Sequence, residues 1–239
     1  MTDPLKRRSG RLFTAGMALL TLLFLALGTW QVQRLFWKLD LIARVEARVS
    51  APAAPAPVEA AWPAFDANEQ EYRHVTASGH LLHDKETLVQ AVTERGAGFW
   101  IMTPLVEADG TTILINRGFV PPERRDPATR AEAQSESDVT VTGLLRLTEP
   151  GGAFLRSNDP AGNRWYSRDV AAIAEARGLQ RVAPYFIDAD NTPNSGGYPV
   201  GGLTVVHFRN SHLAYIFTWY ALAAMTIAVT IVLRRRKLV

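Results

Sequence analysis

Two apolar stretches bracket the chain. Residues 12–30, LFTAGMALLTLLFLALGTW, run without a charge, and so do residues 213–233, LAYIFTWYALAAMTIAVTIVL. As helices they reach about 28 and 32 Å at about 1.5 Å per residue, matching a hydrocarbon core of about 30 Å. Each ends against Arg or Lys and aromatic residues that suit a membrane interface. The first is longer than a typical signal-peptide core and no small-residue cleavage site stands out after it, so it reads as a retained span. Residues 30–48 continue at helical spacing without Gly or Pro, with Gln31, Arg34, Trp37 or Lys38, and Leu41 near one face. The stretch 51–63, APAAPAPVEAAWP, cannot sustain a helix and reads as an extended linker.

Beyond the linker the period changes to two. Strands are predicted over 72–79 and 80–90, around a Gly kink. Residues 99–106 and 112–120, joined across Asp109-Gly110, carry the clearest hairpin signal. Residues 139–147 and 182–187 are two further strands, and 168–177 is a short amphipathic helix stopped by Gly178. Residues 148–164 and 188–202, rich in Gly, Pro, Asn and Asp, are loops. The fold class is therefore a membrane protein in which two transmembrane helices flank an exterior α+β domain, mainly antiparallel β with a short helix.

Charge refines this picture. The net charge is +3 and the pI about 9.4, which on its face invites nucleic acid. The surplus sits in two tails: Lys6, Arg7, Arg8 and Arg11 at one end, Arg234, Arg235, Arg236 and Lys237 at the other. The intervening body is mildly acidic, which argues against nucleic acid and for topology signals beside lipid. The cations after the second span are expected to hold both termini in the cytoplasm and 31–212 outside: the periplasm if the membrane is the expected bacterial inner membrane, the intermembrane space in a mitochondrion. The predicted organisation is tail 1–11, span 12–30, exterior domain 31–212 with its linker at 51–63, span 213–233 and tail 234–239. The chain contains no cysteine, which excludes thiol redox pairs, covalent haem attachment and a cysteine nucleophile.

Motifs for acyl hydrolysis, phosphate loops, dinucleotide binding and zinc proteases are missing from the sequence. His80 and His83 fall on opposite faces if 80–90 is a strand, a poor arrangement for a metal. Arg117, in Asn116-Arg117-Gly118 at a strand end, could meet an anion, though an ion pair or a turn is the commoner reason for such a residue. The candidate site lies at the mouth of the second span. His212, Tyr215 and Trp219 follow at i, i+3 and i+7 on one helical face. A neutral imidazole in an apolar site is a good axial haem ligand. Arg34, Lys38 and Arg209 fall near the same depth, where they could pair with haem propionates. The plain alternative is an interface that gathers aromatic and cationic side chains whatever its function.

Four blocks carry a resemblance. LGTWQVQRLFWKLDLI (27–42), TPL with INRGFVP (103–105 and 115–121), NRWYSRD (163–169) and RNSHLAYIFTWYALA (209–223) stand in the same order as in the surfeit locus protein 1 family of cytochrome c oxidase assembly factors, which the chain resembles over essentially its whole length. The resemblance implies a non-enzymatic factor in the biogenesis of haem-copper oxidases, binding haem a and assisting its insertion into subunit I. His212 matches the family's histidine at the mouth of the second span and is the implied ligand of the haem iron, the sole metal expected. Cytochrome c oxidase subunit I, the haem a synthase, or both, are the implied partners. Two other readings compete: a membrane-tethered haem-modifying or quinone-linked enzyme, and a periplasmic ligand-sensing domain. The enzyme would want polar groups within the spans, which hold no charge, and the sensor a cytoplasmic module, whereas few residues lie beyond either span.

Overall fold

The computed structural model describes residues 4–153, 155–206, 208 and 210–236. In chain order its main elements are α1 (Pro4–Val49), β1 (Ala54–Pro55), α2 (Ala67–Gln70), β2 (His74–Leu81), β3 (Thr87–Thr93), β4 (Gly96–Glu107), β5 (Thr112–Val120), β6 (Val139–Leu147), β7 (Gly152–Ala153), β8 (Arg156–Ser157), α3 (Val170–Arg177), β9 (Val182–Ala189) and α4 (His212–Arg235). They form two units, Val45–Val206 on the one hand and Met1–Arg44 with His207–Val239 on the other.

In the first of these units the predicted strands close on themselves. β2 pairs with β6, β6 with β9, β9 with β5, β5 with β4, and β4 returns to β2 through Gly79 opposite Glu107 and Leu81 opposite Leu105. The result is a closed barrel in which only the β5–β9 pairing is parallel. Closure pairs each of the five barrel strands on both sides, so that among the described residues only β3 and the short β1 stand at an edge of this sheet. β3 extends the sheet beyond β4, and β1 lies parallel to β2. Side chains at every second position point inward: Val75 and Ala77 from β2, Leu105 from β4, Ile113 and Ile115 from β5, Leu145 from β6, and Ala183, Tyr185 and Ile187 from β9. On the outside, Leu114 and Phe186 form a second core with Val89, Met102, Trp165 and, from α3, Val170 and Ile173. Asp169 caps α3 by accepting from the Ala172 N–H, and left-handed Gly178 ends it.

Most strand predictions match within a few residues, and 112–120 and 139–147 match fully. The segment 80–90 is not one strand: β2 ends at Leu81, and a 3-10 turn over His83–Lys85 precedes β3. The loop 148–164 contains the small β7–β8 hairpin. The Pro-rich stretch is extended as expected, and it packs: Ala56 is buried, and the Trp62 indole N–H and the Tyr185 hydroxyl both donate to the Pro57 carbonyl.

In the other unit, α1 and α4 are each long and apolar enough to cross a membrane. Leu12, Leu19, Leu22 and Leu23 on α1, and Phe217, Met225 and Ile231 on α4, are exposed. So much outward-facing apolar surface suits lipid rather than water. This is the architecture of a membrane protein.

Candidate functional site

The helix pair is built on a seven-residue rhythm. On α1, Thr21, Phe24, Gly28, Gln31, Leu35 and Lys38 are withdrawn from the surface, alternating steps of three and four. On α4 the same steps mark His212, Ile216, Trp219, Ala223, Thr226 and Thr230. Such a register is that of two helices packed side by side. The antiparallel pairing is visible in the contacts. Thr21 and Thr226 hydroxyls meet at 2.8 Å, the Phe24 and Trp219 rings stack with centroids 5.8 Å apart, and Thr29 meets the Tyr220 hydroxyl at 3.2 Å. A Cβ on Gly28 would stand 3.0 Å from the Tyr220 ring, so glycine lets that ring lie against the α1 backbone.

At the open end of this seam His212 meets Gln31, with Nδ1 and Oε1 2.7 Å apart. Gln31 is buried. An amide oxygen can only accept, so the Nδ1 of His212 donates, and in the neutral imidazole Nε2 then holds the lone pair. Among the described residues nothing bonds to Nε2. Farther along the seam, the Trp219 indole nitrogen is buried without a hydrogen-bond partner among the described residues. A histidine nitrogen without a partner among the described residues, on a seam that holds an unsatisfied indole donor two helical turns along, is an arrangement suited to receiving a ligand.

The other predicted residues divide. Lys38 lies on the seam, its ammonium 4.7 Å from the centroid of Phe208. Tyr215 does not share the face of His212 and Trp219. It is 51% exposed, and Ile216 takes its place in the rhythm, because the step from 212 that keeps to the seam is four residues. Arg34 is also off the seam, exposed, its guanidinium 4.5 Å from the Trp37 ring centroid. Arg209 lies outside the described residues. Helical spacing sets Gln31 near one face together with Arg34, and the structure separates the two, Gln31 buried and Arg34 exposed. The signal of Gln31 was an amide amid the apolar residues leaving the first span.

The central blocks of the sequence serve the barrel unit. Asp188 is buried at the end of β9 and accepts from Asn116 Nδ2 at 2.7 Å, Arg168 Nη1 at 3.0 Å and Thr204 Oγ1 at 2.9 Å. INRGFVP and NRWYSRD are thus joined through one carboxylate, with Trp165 of the second block buried in the outer core. Gly118 has φ +127°, and a Cβ there would fall 2.2 Å from the Val200 carbonyl oxygen. His83 and His80 are separately engaged, His83 with Ser135 and Arg117 and His80 with Asp138.

The sequence profile of the SURF1 family matches residues 18–224. Surfeit locus protein 1 of Mus musculus is 42% identical over 216 residues, covering 84% of this chain and 68% of its own. The Homo sapiens protein of that name is 42% identical over 217 residues, with 84% and 70% covered. A SURF1-like protein of Monosiga brevicollis is 39% identical over 244 residues, covering 96% and 90%. The match takes in both apolar helices' inner portions and the whole barrel, and with it the resemblance read from the four blocks becomes membership: this chain belongs to the SURF1 family.

Proposed function

We propose that the protein is a non-catalytic assembly factor for haem-copper cytochrome c oxidase, which binds haem a as cargo and helps load it into subunit I. Family membership supports the assembly role. The observation that carries the binding role is the bond between Gln31 and His212. It engages one imidazole through Nδ1, which leaves Nε2 of the neutral ring to ligate iron, at a place where both helices present apolar side chains.

The residues fit such a cargo. His212 supplies one ligand, and Trp219 a buried indole N–H without a partner among the described residues. Lys38 is the cation on the seam and Arg34 an exposed one beside it, both suited to carboxylates. Haem a would bring its redox-active iron and an apolar tail that the helix surfaces and bilayer can shelter. A single histidine ligand suits a carrier, since release requires one bond to break. In this reading both termini are cytoplasmic, the barrel is exterior, and subunit I, the haem a synthase or both are the partners.

The test is spectroscopic. The protein and its His212→Ala variant are purified from cells making haem a, and their visible spectra are compared at equal protein. Haem a bound by the unaltered chain and lost from the variant is the expected result. Undiminished haem in the variant overturns the ligand assignment.

A further inference from the structure

A second site, independent of the helix pair, lies at one end of the barrel. Where β2 and β9 end and β6 begins, Leu81, Ile115, Val139, Val141 and Ala189 line a cavity of about 250 Å³. Arg117 also lines it, two residues beyond Ile115 on β5, and is only 5% exposed. Strand alternation therefore carries a guanidinium to a position in the series that otherwise faces the barrel interior.

Its partners are all neutral. Nη2 donates to the Ala133 carbonyl and, at 3.4 Å, to Asn194 Oδ1. Nη1 lies 3.3 Å from His83 Nδ1, while His83 Nε2 is 3.1 Å from the Ser135 carbonyl. A carbonyl can only accept, so the His83 proton is on Nε2, and Nδ1 accepts from Arg117. Arginine has five N–H donors, and these bonds use three of them. No carboxylate forms a salt bridge with Arg117 among the described residues. Glu86, whose charge reaches it, is bidentate to Arg130, and both of those side chains are buried. That pair is neutral as a unit, so Arg117 remains an uncompensated buried cation. Burial pushes its pKa down to about 10, which still leaves it charged at neutral pH.

A buried charge is ordinarily paired, and here an arginine with unused donors is among the residues that line a cavity with an apolar wall. Glu132 and Asp190 also line it, Glu132 exposed and Asp190 accepting from the Thr192 N–H. Those two carboxylates disfavour a multiply charged anion. We propose that this cavity binds a small monocarboxylate, Arg117 taking the carboxylate and the Leu81, Ile115 and Val141 side taking a short hydrocarbon stem.

The full-length protein in detergent is titrated calorimetrically with sodium hexanoate, hexanamide and inorganic phosphate. Saturable hexanoate binding is expected, at least about tenfold tighter than either comparator, as a charge-assisted hydrogen bond implies. Arg117→Gln is expected to abolish it. Because Arg117 also ties Ala133 and Asn194 to the barrel, the comparison of hexanoate with hexanamide on the unaltered chain decides the matter should that variant not fold. Absence of saturable hexanoate binding, equal affinity for hexanamide or phosphate, or undiminished binding by a folded Arg117→Gln overturns the proposal.

Discussion

The Nδ1 of His212 lies 2.7 Å from the Gln31 amide oxygen, joining the start of α4 to α1 across 181 residues of sequence. Gln31 thereby acts through the histidine, settling which ring nitrogen is available. Gln31→Leu removes the acceptor and frees the ring to change tautomer and orientation. Haem affinity is expected to fall by about 10–100-fold, the usual effect of losing the group that orients a metal-bound histidine. Gln31→Glu keeps an acceptor and should retain binding. Absorbance titration of the purified variants with haem measures both, and equal affinity in Gln31→Leu and the unaltered chain would remove Gln31 from this role.

The absence of cysteine makes the helix pairing directly testable. Thr21 and Thr226 hydroxyls are 2.8 Å apart, close enough for a cysteine pair to meet disulfide geometry. In Thr21→Cys/Thr226→Cys, oxidation in isolated membranes is expected to protect both thiols from a maleimide reagent, with reductant restoring labelling. Either single variant should stay labelled. Persistent labelling of the oxidised double variant would contradict the register of the two helices.

Arg117 makes the buried Glu86–Arg130 pair asymmetric. Glu86→Gln leaves two buried cations facing each other and should destabilise the protein by about 3–5 kcal/mol. Arg130→Met leaves Glu86 beside Arg117, whose spare donors can take over part of the pairing, so the loss should be smaller. Thermal or denaturant unfolding followed by tryptophan fluorescence compares the two. A larger loss in Arg130→Met than in Glu86→Gln would contradict this assignment of charges.

His83 adds a pH dependence of known sign. Burial first, and then the Arg117 charge, lower its pKa below the ordinary value of 6.5. Below pH 6.5 the unfolded chain therefore binds the proton that the folded chain refuses. The stabilisation is complete above that value and is lost as pH falls toward the folded pKa. Against His83→Gln, the unaltered protein should lose stability more steeply on acidification from about pH 7 to 5, the range in which an imidazole titrates. Parallel stability curves would mean that His83 titrates alike in both states.

The two apolar helices, the strands at 112–120 and 139–147 and the helix with its Asp169 and Gly178 ends were legible because each is governed by neighbours a few residues away. The site was legible in part. His212 stood out as a histidine at the mouth of an apolar run, and Gln31 fell at helical spacing near one face of the segment that follows the first span. The role of Gln31 was not legible, since it depends on a histidine far along the chain. Tyr215 was misplaced for a geometric reason: steps of three and four both keep roughly to one side of a helix, and only the partner helix selects between them. For Arg117 the sequence offered an anion, an ion pair or a turn, and only the packing of Glu86 against Arg130 leaves its charge without a carboxylate among the described residues.

By itself, then, the sequence determined the apolar spans, the alternation that makes strands, the turns and caps, and the blocks that mark the family, all of them local or additive properties of the chain. The tertiary structure alone decided how the sheet closes through β2 and β4, which nitrogen of His212 Gln31 engages, and which buried cation lacks a carboxylate among the described residues. Those depend on groups far apart in sequence whose desolvation is compensated only where the fold brings a partner to them, and hydrophobic pattern carries no record of that partner's identity.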